Sequence, residues 1–231
     1  MKNLSISVFF PAYNEEKNIT KTVELAHDVL ARISQNYEII IVNDGSKDAT
    51  GTIANNLALK NARVRVVHHD KNLGYGAAVW SGIHSAKYDL VFFTDADLQF
   101  DLREIERLLV FIPEYRVVIG YRSPRRDPFM RLVNAWGWNS LVRLLFGLRV
   151  KDIDCAFKLF EKKLVADLPL KTRGATMSAE LLIRLQRKGI AWKEVPVSHF
   201  PRSYGSPTGA KLSVICRAFR ELFGLYWSGI H

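Results

Sequence analysis

Through its first 120 residues the chain alternates short, almost wholly apolar runs with stretches of helical periodicity. That alternation restricts the fold to a mostly parallel sheet covered by helices on both faces. Ser5–Phe10 reads as a buried strand ending at Pro11, and Asn14 is placed to cap a helix in which Ile19, Val23, Ala26, Leu30 and Ile33 share a face. Glu38–Asn43 is a second strand, closed by the turn Asp44-Gly45-Ser46; Asp48 then caps a helix that aligns Ala49, Ile53 and Leu57. Val64–His68 and Leu90–Thr94 are the third and fourth strands, with Gly74 and Gly76 opening the helix between them, and Val117–Gly120 is the fifth.

The second half is less regular. Pro128–Val150 has the pattern of one or two amphipathic helices carrying Trp136, Trp138, Leu141, Leu144, Leu145 and Phe146. Ser178–Lys188 reads as a helix, Trp192–His199 as a strand, 201–211 as a Pro/Gly/Ser-rich loop and Leu212 to Tyr226 as a final helix. No internal repeat and no linker long enough to separate two domains is visible.

Ligands of open α/β sheets bind at the carboxyl ends of the strands. Here those ends carry Pro11-Ala12-Tyr13-Asn14-Glu15-Glu16, Asn43-Asp44-Gly45-Ser46 and Asp95-Ala96-Asp97. Residues i and i+2 of an extended chain face the same way, so Asp95 and Asp97 converge. Two carboxylates so close are costly unless one is protonated or a cation lies between them. Oxygen donors of this kind suit magnesium or manganese, which also hold phosphate oxygens, and Gln99 adds a neutral oxygen. Asp44 is placed to accept hydrogen bonds from a base or ribose, and Tyr13 to stack on a base. The bland readings are a turn aspartate for Asp44 and a first-turn helix glutamate for Glu15.

Charge divides the chain. Residues 1–120 hold 13 basic and 15 acidic side chains, a net of −2, whereas 121–220 hold 20 and 7, a net of +13. Such a basic half points to an anionic partner: nucleic acid, an anionic membrane surface or a phosphorylated substrate. Hydrophobic residues at 48% and charged ones at 24% exclude a disordered chain. Two cysteines, Cys155 and Cys216, are too few for a disulfide scaffold or a cysteine-based zinc site, which fits a reduced cytosolic compartment. The run from Met1 to Ile6 lacks the long apolar stretch of a signal peptide, and no window reaches the roughly 20 apolar residues of a bilayer crossing.

The ordered set Pro11–Glu16, Val42-Asn43-Asp44-Gly45-Ser46, Asn72-Leu73-Gly74 and Asp95-Ala96-Asp97-Leu98-Gln99 resembles the family 2 glycosyltransferases of the GT-A fold. Within that family it is most similar to the polyprenyl-phosphate (dolichol-phosphate) mannosyl- and glucosyltransferases. The resemblance covers nearly the whole chain. It implies a single α/β GT-A domain over 1–231, its nucleotide-sugar half at 1–120 and its acceptor and membrane half, with the amphipathic helices, at 121–231. It also implies a nucleotide-sugar donor, a divalent metal, and inversion at the anomeric carbon. By position, Pro11, Tyr13, Glu15 and Asp44 would hold the nucleoside; Asp95, Ala96, Asp97 and Gln99 would surround metal and diphosphate. Arg122, in Gly120-Tyr121-Arg122, matches a family Gly-Ser-Arg near the phosphates. Asp152–Phe160 resembles the segment Asp-x-x-x-Gly-Phe-Lys/Arg, with Ala156 in place of the glycine. Val195-Pro196-Val197 with Arg202, Gly205 and Lys211 resembles the basic loop that closes over the diphosphate, here longer than usual. Phe100-Asp101 replaces the usual His-Pro-Pro stretch.

The expected reaction moves a hexose to a polyprenyl or dolichyl phosphate with Mg²⁺ or Mn²⁺. GDP-mannose is the first choice of donor and UDP-glucose the second. A lipid phosphate is already ionised, its second pKa being about 6, and attacks without a base; Arg131 is a candidate contact for it. A sugar hydroxyl would require a base. Glu180 is the candidate under that alternative, a UDP-sugar transferase acting on a polysaccharide or glycolipid, and otherwise an ordinary helix N-terminal glutamate. The Trp136 helix and the last helix suit a bilayer interface, so the expected location is cytoplasmic, peripheral on the cytosolic membrane face, with room for a separate membrane-anchoring partner. A non-enzymatic nucleic-acid module is the remaining alternative, against which stand the acidic first half and the lack of any nucleic-acid motif.

Overall fold

The computed structural model describes residues 4–125, 129–202, 204 and 212–230, with only the backbone of 129–131 and 212. Along the chain run β1 (Ser5–Ala12), α1 (Ile19–Ile33), β2 (Asn36–Asn43), α2 (Thr50–Lys60), β3 (Val64–His68), α3 (Tyr75–Ser85) and β4 (Leu90–Thr94). One 3₁₀ turn then leads into α4 (Ile105–Leu109), β5 (Val117–Arg122), α5 (Phe129–Phe146), β6 (Phe157–Glu161), α6 (Lys162–Val165), α7 (Met177–Arg187), β7 (Lys193–Val197) and α8 (Leu212–Trp227).

The seven strands form one sheet in the order β3-β2-β1-β4-β6-β5-β7. β1 is parallel to β2 and β4, β2 to β3, and β5 to β7. The sheet is not purely parallel: β6 runs antiparallel to both β4 and β5, with Thr94 opposite Phe157. The alternation of the first half carries no trace of this reversal, because β6 enters from the opposite end after the irregular stretch 147–156.

Side chains alternate between two apolar layers. Val8, Phe10, Ile39, Ile41, Phe92 and Phe157 belong to one, against α1, and Phe9, Ile40, Val42, Phe93 and Phe160 to the other, against α3 and α7. Phe9 stacks on Phe93 at 5.3 Å between ring centres, and Phe92 meets Phe157 edge-on at 4.7 Å. Each buried phenylalanine stabilises the sheet by about 1.5–3 kcal/mol, which makes β4, buried at all five positions, its anchor.

Two helix starts differ from the sequence expectation. α1 begins five residues after Asn14, with Asn18 at the cap position. Asn14 instead adopts φ 59° and accepts the Lys47 N–H at 2.8 Å. Asp48 lies one residue before the cap position of α2, yet its Oδ1 accepts the Thr50 N–H at 3.0 Å and so serves the first turn. The stretch after 128 is one helix, α5, and α4, β6 and α6 are additional to the elements expected.

Candidate active site

The loops after β1 and β2 are laced together. Asn14 N–H donates to Ser46 Oγ at 3.0 Å, Glu15 N–H to Thr50 Oγ1 at 2.8 Å, and Ala49 N–H to Glu16 Oε2 at 3.0 Å. Gly45, at φ 64°, lets this pair of loops press on the turn after β3: a Cβ there would stand 2.3 Å from the Lys71 carbonyl carbon. Asp44 is buried, and both of its oxygens already accept hydrogen bonds from this chain. Its Oδ1 meets His69 Nδ1 at 2.6 Å and the Leu73 N–H at 2.8 Å, and its Oδ2 accepts the Gly74 N–H at 2.9 Å. Asp44 thus shapes the Asn72-Leu73-Gly74 turn. Pro11 is buried inside β1, and Tyr13 is half-buried beside the cleft.

Asp95 and Asp97 leave β4 at the same edge. Leu98 between Asp97 and Gln99 takes φ 62°, a region unfavourable for a bulky side chain, and the turn it makes lets the Gln99 N–H donate to Asp97 Oδ1 at 3.1 Å. The Ala96 carbonyl is fixed by Thr22 Oγ1 at 2.9 Å. Tyr75, first residue of α3, hydrogen-bonds Asp95. Burial, and then the negative charge of Asp97, raise the Asp95 carboxyl to about 7 against the pull of Tyr75.

Arg202 closes this side. It ion-pairs with Glu15, approaches Asp97 Oδ2 at 3.7 Å and donates to the Tyr204 carbonyl at 2.7 Å. Asn18 also donates to Glu15, at 2.7 Å, yet burial holds the Glu15 carboxyl above its ordinary range. Gln99 is tied to the same loop: its Nε2 donates to the Phe200 carbonyl at 2.9 Å and its carbonyl accepts the Phe200 N–H at 2.8 Å. Only its side-chain oxygen is left to face a ligand.

Arg122, at the end of β5, grips Asp152 through Nε at 2.6 Å and a terminal nitrogen at 2.7 Å, with Arg125 at 3.7 Å. Burial would raise Asp152, but the Arg122 hydrogen bonds and charge bring it below the usual carboxylate range. Behind it, fully buried Lys158 donates to the carbonyls of Ile153, at 3.1 Å, and Cys155.

Glu180 does not reach the cleft as a base. It is fully buried on the first turn of α7, and accepts the N–H groups of Lys171 and Thr172, the Thr172 hydroxyl at 2.8 Å and Arg184 Nε at 2.8 Å. A carboxylate holding those donors is a structural tie for the segment before α7. Arg131 lies on the first turn of α5 with its side chain outside the described residues; Gly205 and Lys211 lie wholly outside them. Sequence reasoning missed Tyr75 and His69, and met Lys158 only as the last residue of the segment resembling Asp-x-x-x-Gly-Phe-Lys/Arg. The sole hint was position: Tyr75 follows Gly74 at a helix start on the ligand edge.

Among the described residues no three His, Cys, Asp or Glu side chains cluster as a complete metal cage. The donor set fits a divalent ion that completes its shell with phosphate oxygens: two carboxylates in mutual repulsion at Asp95 and Asp97, one amide oxygen at Gln99.

A family profile described as glycosyl transferase family 2 matches residues 7–168. The chain is 33% identical over 209 residues to glycosyltransferase AglD of Haloferax volcanii, covering 86% of this chain and 34% of that protein. It is 33% identical over 207 residues to the dolichyl-phosphate beta-glucosyltransferase ALG5C of Trichomonas vaginalis, covering 81% and 61%. It is 30% identical over 202 residues to the undecaprenyl-phosphate 4-deoxy-4-formamido-L-arabinose transferase of Aeromonas hydrophila, covering 87% and 61%. The chain therefore spans between a third and three fifths of the length of these curated relatives. Among solved structures it resembles glucosyl-3-phosphoglycerate synthase from Mycobacterium tuberculosis, itself in complex with Mn²⁺, UDP and glucosyl-3-phosphoglycerate. The TM-score is 0.69 at 23% identity, over 97% of this chain and 79% of that one, a likeness that shows the GT-A fold.

Proposed function

This chain belongs to glycosyl transferase family 2, and from that premise we propose that it moves a hexosyl group from a nucleotide sugar to a polyprenyl phosphate at the cytosolic face of a membrane. The observation that carries the reading is the convergence of Glu15, Asp95, Asp97 and Arg202 at one sheet edge. A divalent ion held by Asp95 and Asp97 would supply the charge that stabilises the departing nucleoside diphosphate. Arg202 would exchange its carboxylate partners for that diphosphate, and Arg122, steadied by Asp152, would hold a fixed positive charge nearby. Pro11, Tyr13 and the turn shaped by Asp44 would seat the nucleoside.

One phosphate oxygen of the acceptor attacks the anomeric carbon from the face opposite the diphosphate. The bond to the diphosphate breaks with its electron pair, and the configuration inverts. No proton need be removed from the nucleophile. The engagement of Glu180 supports this route over one that uses it as a base, as does the similarity to a dolichyl-phosphate and an undecaprenyl-phosphate transferase. Arg131 and the +13 surplus of 121–220 would hold the acceptor phosphate. Since one of those relatives is named a glucosyltransferase, UDP-glucose stands before GDP-mannose as donor.

Among the described residues no helix is long and apolar enough to cross a membrane. Membrane contact would come from α5 and α8, which pack together through Trp138 and Phe219. Val133, Trp136 and Leu144 of α5 and Phe219 and Trp227 of α8 remain exposed.

The test offers labelled UDP-glucose, GDP-mannose and UDP-N-acetylglucosamine with a polyprenyl phosphate and Mg²⁺ or Mn²⁺. Label that partitions into organic solvent is expected, and is lost with chelator. Label transferred only to water-soluble glycans would overturn the acceptor assignment.

A further inference from the structure

Every acid of the cleft described so far has a partner, whereas Asp154 has no hydrogen bond or ion pair among the described residues. Its position follows from the register of β6. Thr94 stands opposite Phe157, so the segment 152–156 continues beside Asp95-Ala96-Asp97. The segment is held rigidly. Asp152 is clamped by Arg122, and Lys158 binds the carbonyls of Ile153 and Cys155, whose side chains are fully buried. Between them Asp154 is exposed. Its charge is felt at the Tyr75 hydroxyl, which in turn bonds Asp95.

A preorganised carboxylate beside three other acids repels phosphate. What it accepts well is a pair of neighbouring hydroxyls, since an ionised carboxylate is an acceptor with two oxygens. We propose that Asp154 accepts hydrogen bonds from the hydroxyls of the hexosyl group in transit, and so takes part in choosing which hexose is transferred. The proposal rests on the nucleotide-sugar reading given above.

Dissociation constants for UDP, GDP, UDP-glucose and GDP-mannose, measured by calorimetry with Mn²⁺ present, test it in the wild type, Asp154→Ala and Asp154→Asn. Asp154→Ala should weaken the preferred nucleotide sugar about tenfold, as expected when a charged hydrogen-bond acceptor is removed, and leave the free nucleotide within about twofold. Asp154→Asn, which keeps one acceptor oxygen, should lose less and narrow the preference between the two sugars. Unchanged nucleotide affinity also shows that the variants fold. Equal weakening of nucleotide and nucleotide sugar would place Asp154 with the metal and diphosphate, and sink the proposal. So would unaltered binding with collapsed turnover, which would mark a proton acceptor, or no effect at all. A wild type that binds none of the four ligands would overturn the nucleotide-sugar reading itself.

Discussion

The carboxyl of Asp95 sits among influences of opposite sign: burial and the charges of Asp97 and Glu15 favour its protonated form, whereas Tyr75 and Lys158 favour the ionised one. The balance lies on the protonated side, from 3.8 to about 7. An acid whose folded pKa exceeds its unfolded one binds its proton better when folded, so its ionisation lowers stability as pH rises between those two values. In chelator, Asp95→Asn should therefore melt higher than the wild type above pH 7, with the gap closing as pH falls toward 3.8. The same change should cut turnover about a hundredfold or more if Asp95 holds the metal as proposed. A variant that melts lower at every pH would show that the charge of Asp95 is not disfavoured in the fold. Asp152 carries the opposite sign: its clamp stabilises from neutral pH down to 3.8, and the contribution is lost as pH falls through its lowered value.

At the level of elements, α3 lies against β1 closely enough that a Cβ on Gly82 would come within 2.3 Å of the Phe9 ring. Phe9 is itself stacked on Phe93 and has nowhere to retreat. Gly82→Ala should cost about 1–3 kcal/mol, read as a lower urea midpoint with an unchanged slope; an unaltered midpoint would mean that α3 slides freely. The first five strands were legible because each is an apolar run between turn residues. β6 was not, since its direction depends on a pairing 63 residues away in sequence, Thr94 with Phe157. The site was legible to the same degree. Asp95 and Asp97 declare themselves by following a buried strand, but the work of Asp44 depends on His69, Leu73 and Gly74, 25 to 30 residues on. Glu180 sits on a first helical turn, and only its partners reveal a buried tie.

Across the whole molecule the charge divides, −2 over residues 1–120 and then +13 over 121–220, and the basic half suits an anionic surface. Vesicles containing anionic lipid should bind the protein, and raising the salt should weaken the attraction within a Debye length of about 10 Å at 0.1 M. Replacing Trp136 and Leu144 by serine should reduce binding to the vesicles while UDP-glucose affinity stays the same. Equal vesicle binding by that variant would exclude the exposed face of α5. The two halves are also joined in a lopsided way. Within the sheet, among the described residues, β5 and β7 join the other four strands through β6, so this reversed strand is a hinge pin on which the outer leaf of the sheet hangs. Once it is drawn, both outer strands come away together, and their amide protons should trade with deuterium in step, leaving β1, β2 and β4 still guarded.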